Sequence, residues 1–122
     1  MDTLTHVVAG VCIAGSFPRA VRGRDASVIV VAASLLPDLD VLSSLSEPAT
    51  AALNRHLLTH SLVGIALLSV GFGTLAWLLS RRLGWFANVT LVGLGVTVHV
   101  ALDLINAYGV ALFYPWTEDR FS

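Results

Sequence analysis

"SLVGIALLSVGFGTLAWLLS", Ser61 to Ser80, is twenty residues without a charge, closed by His60 before it and by Arg81 and Arg82 after it. A helix of about twenty apolar residues matches the roughly 30 Å hydrocarbon core of a bilayer. It is apolar on every face, and such a helix needs either a large protein core or lipid around it. The stretch, long enough to span and uncharged throughout, predicts a transmembrane helix. Composition agrees. The chain is 56% hydrophobic and 12% charged, with a mean hydropathy of +0.81, whereas soluble domains have about 25% charged residues.

Working outward, Leu83 to Val98 carries no charge and runs on into His99 to Leu104, long enough to return across the membrane. On the other side, Val7 to Pro18 and Ala26 to Pro37 are uncharged stretches of twelve residues each. They either lengthen by drawing on polar flanks or form partial or tilted helices packed on the long pair. The expected fold is therefore all-α: one membrane-embedded, multi-pass helical bundle over residues 1–122, with about four main helices. Gly10 with Ala14, Gly64, Gly71, Gly73, Gly93 and Gly95 are expected where helices approach closely. "GFG" and "GLG" are not phosphate loops, because neither follows a strand or precedes Lys-Ser or Lys-Thr. Pro37 ends the second helix and opens "PDLD". Val41 to Asn54 reads as a serine-rich loop, with a short helix from Ala49. The terminal "YPWTEDRFS" is polar and aromatic, as at a membrane–water boundary. Cys12 has no disulfide partner and reads as a small packing residue. "MDTLTH" has an acid and no basic n-region, so no cleaved signal peptide is expected. A net charge of −1 and no lysine give no basic surface for nucleic acid.

If the segments alternate in direction, Arg19, Arg22, Arg24, Arg81 and Arg82, five of the seven arginines, share one side. The positive-inside rule makes that side cytoplasmic and places both termini outside. The opposite side then collects His6, Asp38, Asp40, Arg55, His56, His60, His99 and Asp103, including every histidine in the chain. An ionisable group inside a membrane segment is costly and points by default to a site.

Spacing sharpens the point. His99 and Asp103 are i, i+4 and share a helix face, as do His56 and His60. Imidazole and carboxylate are common ligands of zinc and its first-row neighbours. A cation would compensate a carboxylate held in an apolar helix. Taken singly, His6 also reads as a polar cap, and "PDLD" as a turn with an N-capping aspartate. Together on one membrane face, His6, Asp38, Asp40, His60, His99 and Asp103 are the expected metal ligands.

"MDTLTHVVAG" at the start, "PDLD" at Pro37 to Asp40, "THS" at Thr59 to Ser61 and "HVALDLINAYG" at His99 to Gly109 follow in an order that resembles the bacterial and archaeal membrane-bound metal-dependent hydrolases typified by YdjM. The resemblance covers nearly the whole chain. It implies a membrane-bound hydrolase with a divalent metal, zinc first. The family commonly has His-Arg-x-x-Thr-His before the third helix; here "RHLLTH" exchanges Arg55 and His56, so His60 matches and His56 does not. Family members also often continue into a further aspartate-containing segment, which this chain is expected to lack. A more distant resemblance, to zinc phospholipase C and its nuclease relatives, implies that Asp103 bridges two metals and His6 serves the second.

The expected chemistry is hydrolysis of a phosphoester, lipid-derived or small, by a metal-activated water at the outer face of the inner membrane. Asp38 or Asp40, whichever is not a ligand, would accept the proton. Arg55 faces either the substrate phosphate or lipid headgroups, and Asn106 and Tyr108 read as substrate or helix-end groups. Membrane lipid is the expected surrounding partner. The alternative is a non-catalytic membrane protein with a structural metal or a partner-binding role. An ion pathway is opposed by the few polar groups continuing inward: Ser69 and Thr74 in the third segment, Asn88, Thr90 and Thr97 in the fourth.

The topology makes a direct prediction. In a Cys12→Ser background, single cysteines at Ser43 and Arg22 should react with membrane-impermeant reagents from opposite faces. Labelling of both from one face overturns the alternation.

Overall fold

The computed structural model describes residues 3–17, 23–38, 58–105 and 109–121. The loop expected over Val41 to Asn54, Asp40, Arg55, His56, Arg19, Arg22, Asn106 and Tyr108 lie outside the described residues. Four helices are present among those described: α1 Thr3–Ser16, α2 Arg24–Ala33, α3 Leu62–Leu79 and α4 Trp85–Leu104. The one bridge between extended residues pairs Val110 with Phe121.

Local chemistry sets the ends of these helices. Ser61 caps α3, its hydroxyl accepting from the Gly64 N–H at 3.0 Å. The Leu62 N–H, one of the donors that a helix start leaves without an intrahelical partner, donates to the Leu112 carbonyl at 2.9 Å. That bond ties the C-terminal segment over the start of α3 and buries Val110 and Ala111. Gly109 makes the turn into this segment at φ 67°, a left-handed conformation that favours glycine. α2 stops ahead of Pro37, which has no N–H to offer and disfavours helical geometry in the residue before it.

α4 is the hub. Its buried residues (Asn88, Leu91, Val92, Gly95, Val96, His99, Val100 and Asp103) form a stripe at helical spacing, and α1, α2 and α3 all pack on it. α2 runs parallel to α4: Ala26 clusters with Leu91, Val30 lies against Gly95, and Ser34 meets His99 at the same 65-residue separation. α3 is antiparallel to α4, with Gly73 against Val89, Ser69 against Gly93 and His60 against His99. α1 is antiparallel to α2, placing Gly10 against Val31 and Ser34. Successive helices therefore alternate in direction, as expected.

α3 and α4 are long and apolar enough to cross a membrane. Of α3, only Gly64, Ser69 and Gly73 are buried, while Leu67, Val70, Leu75, Leu78 and Leu79 are exposed. An apolar helix so little covered by its own protein is suited to lipid rather than water. α1 and α2, at 14 and 10 residues, reach about 21 and 15 Å at 1.5 Å per residue, less than a bilayer core. α1 draws on its polar flank as far as Thr3, and α2 takes in Arg24. Both thus extend beyond their apolar stretches, yet remain partial helices against the long pair.

Two small-residue expectations need correction. Cys12 is exposed on α1, so it does not pack inside the bundle. Nothing lies within 4 Å of a Cβ placed at Gly71, so this glycine makes no close helix contact. Gly95 does: a Cβ there would stand 2.6 Å from the Val30 carbonyl oxygen and 2.7 Å from the Ala33 Cβ. Gly95→Leu should therefore cost about 1–3 kcal/mol through overpacking. Gly71→Ala should leave stability unchanged or raise it by up to about 1 kcal/mol. Thermal melts of helical circular dichroism in detergent check the contrast.

Candidate metal centre

Burial of the stripe on α4 carries two polar side chains inward with the valines. His99 is 0% exposed and Asp103 5%. His99 finds its partner at the end of α2. The C-terminal carbonyls of a helix have no intrahelical donors, and the stop before Pro37 frees that of Ser34. The His99 Nδ1–H donates to this oxygen at 2.7 Å. A carbonyl can only accept, so in the neutral ring the proton sits on Nδ1 and the lone pair on Nε2.

Around that ring come four other groups. His60, delivered by the turn that caps α3, places Nε2 3.1 Å from His99 Nε2. Its other nitrogen lies 2.9 Å from the Thr59 hydroxyl. Asp103 Oδ2 is 3.3 Å from His60 Nε2 and 3.4 Å from His99 Nε2. The second carboxylate oxygen, Oδ1, faces away from this pair and lies 3.4 Å from Nε2 of His6. His6, from the first turns of α1, is fully buried and stacks on His99 with ring centroids 3.7 Å apart. Neither of its ring nitrogens has a hydrogen-bond partner among the described residues. Asp38, just after Pro37, sets Oδ1 3.6 Å from His99 Nε2, and its Oδ2 also lacks a hydrogen bond among the described residues. Its side chain is 24% exposed, which makes it the most open member of the cluster.

Five of the six expected ligands thus converge from two helices and two turns, and Asp40 lies outside the described residues. The triangle of His60 Nε2, His99 Nε2 and Asp103 Oδ2 has edges of 3.1, 3.3 and 3.4 Å. Tetrahedral zinc with bonds of about 2.0–2.1 Å separates its ligands by about 3.3–3.4 Å. The set could accept such an ion with little movement. His6, Asp38 and His99 form a second group with ligand atoms within 4.8 Å of one another. The two groups share His99, whose single free lone pair serves one ion. Buried imidazole nitrogens without hydrogen bonds are costly, and a cation between His6 and Asp103 Oδ1 would satisfy one of them.

Two contributors escaped the sequence reading. Ser34 acts through its backbone, and the available clue was the proline three residues on. Thr59 sits in "THS" beside a named ligand, where a hydroxyl next to a histidine could have been read as its orienting partner.

The family model described as YdjM inner membrane protein matches residues 1–122. Among curated proteins, the uncharacterised protein YfhP of Bacillus subtilis (strain 168) is 29% identical over 125 residues, covering 97% of this chain. The chain spans 38% of that relative's length. No solved structure matches.

The geometry fixes a tautomer that can be observed. Nitrogen-15 spectra of ring-labelled, metal-stripped protein at neutral pH should show His99, assigned by its loss in His99→Ala, as the Nδ1–H form. An Nε2–H pattern would overturn the bond to Ser34.

Proposed function

The chain belongs to the YdjM inner membrane protein family, and on that premise we propose that it is a membrane-bound, metal-dependent hydrolase whose ion is held by His60, His99 and Asp103. The observation carrying this reading is the triangle of two Nε2 atoms and one carboxylate oxygen, with edges of 3.1 to 3.4 Å. Zinc suits that donor set and size best. A bound zinc ion would supply a water whose pKa falls from about 15.7 towards 7, and a Lewis acid for a phosphoryl oxygen.

The chain's own groups then divide the remaining work. Ser34 and Thr59 hold the two imidazoles with Nε2 inward. Asp103 contributes the negative charge that offsets the cation, and its Oδ1, facing His6, gives a second ion a place between them. Asp38, part-exposed and with one oxygen free of hydrogen bonds, takes the role of proton acceptor at the mouth, and Asp40 is the other carboxylate proposed for it. The substrate class is a phosphoester, with lipid-derived esters favoured because the cluster lies at the end of membrane-type helices. The arginines at the opposite end support a non-cytoplasmic face for the centre.

One observation favours a second reading: all three imidazoles are 0% exposed, as in a closed structural site. X-ray absorption on zinc-loaded protein separates the two. A solvent oxygen among the ligands supports hydrolysis, and four protein ligands without one support a structural ion.

Metal analysis tests the whole proposal. Detergent-purified protein loaded with zinc should hold at least one ion per chain. Asp103→Asn and His99→Ala should lower the affinity by more than tenfold with helix content unchanged, and Thr59→Val by about 10- to 100-fold. Any hydrolysis of a chromogenic phosphodiester should fall in the same order. A wild-type protein that takes up no zinc overturns the reading.

A further inference from the structure

Away from the histidine cluster, α2 and α3 both pack on α4 but scarcely on each other. They meet near the histidine end, where Ala33 and Leu36 share a cluster with Ile65 and Leu68. Towards the other end they part. The gap is a cavity of about 190 Å³ between Val28 and Ala32 on one wall and Phe72, Leu75, Ala76 and Leu79 on the other. Every lining side chain is apolar, and Val28, Leu75 and Leu79 are themselves exposed. Water gains no hydrogen bonds in such a groove, and an empty one forfeits dispersion contacts along its walls. A hydrocarbon chain fits both demands.

The mouth of the groove has a charge. Leu79 is two residues from Arg81, and Val28 four from Arg24. Arg82 lies 3.5 Å from Asp25, where the α3–α4 turn meets the start of α2. Arg81 stands 4.2 Å over the Trp77 ring. Arg82 thus pairs with Asp25, while Arg24 and Arg81 stand at the same end of the bundle without that carboxylate, leaving an excess of positive charge beside an apolar slot. Guanidinium pairs well with phosphate oxygens, and basic pockets between membrane helices select anionic headgroups.

We propose that the α2–α3 groove is a binding site for an anionic phospholipid, with one acyl chain between the helices and the phosphate against Arg24, Arg81 and Arg82. The site is independent of the metal centre, so it can be tested on protein stripped of metal by a chelator. Delipidated protein in detergent is offered phosphatidylglycerol or phosphatidylcholine of identical chains, and retention is read by native mass spectrometry. The wild type should hold phosphatidylglycerol about tenfold more tightly. Arg24→Gln with Arg81→Gln should bring the two lipids close to parity. Ala76→Phe or Ala32→Leu, which fill the slot, should release both lipids while the melting temperature shows the bundle intact. Equal retention of the two lipids by the wild type, or undiminished phosphatidylglycerol binding by both filled variants, overturns the proposal. So does a dimer that dissociates on filling without lipid release, because a second copy would then occupy the groove.

Discussion

The hydrogen bond from His99 Nδ1 to the Ser34 carbonyl joins the end of α2 to the C-terminal half of α4, and the seating of α2 on α4 depends on it. It is possible only because α2 stops ahead of Pro37 and frees that oxygen. It sets α2 parallel to α4 in the register that lays Val30 on Gly95 and Ala26 near Leu91. It also turns Nε2 towards His60 and Asp103. One bond thus links helix termination, helix packing and the tautomer of a candidate ligand. Buried inside an apolar bundle, it is stronger than its counterpart in water, and its loss would leave two polar groups unsatisfied.

The rest of the polar interior follows the same economy of partners. Asn88 donates to the Leu83 and Gly84 carbonyls at the start of α4. Trp85 donates to Thr74 across the α3–α4 pair. These bonds satisfy groups that lipid could not. Only His6 and Asp38 in the cluster, with the Asn88 side-chain oxygen, keep buried atoms without hydrogen bonds among the described residues. Two of those three residues stand around one carboxylate and one imidazole, where a cation would meet both. Three of the four unsatisfied atoms among the described residues are concentrated at the cluster.

The bundle is polarised from end to end. His6, Asp38, His60, His99 and Asp103 lie at the end formed by the start of α1, the turn after α2, the start of α3 and the end of α4. Arg24, Arg81 and Arg82 lie at the other. The Arg82–Asp25 pair, exposed and 3.5 Å long, contributes little to stability. Its value is positional, since it marks where the α3–α4 turn and the start of α2 come together. Between the two ends α3 remains largely uncovered, and lipid completes its packing.

Much of this was legible in the residues. The uncharged run Ser61 to Ser80 pointed to a membrane-type helix, because no residue in it carries a charge and its few hydroxyls do not make a polar face. His99 and Asp103 shared a face by helical spacing alone, and alternation of four segments brought His6, Asp38 and His60 to the same end. Sequence could not supply depth or contact. That Gly95 touches α2 while Gly71 touches nothing, that Cys12 faces outward, and that α2 and α3 leave a groove are outcomes of helix rotation about α4. The roles of Ser34 and Thr59 were equally hidden, one being a backbone oxygen and the other a neighbour without a spacing of its own. Periodicity determines which residues share a face. Only the packed bundle decides which faces meet, because that depends on side-chain volumes from several helices at once.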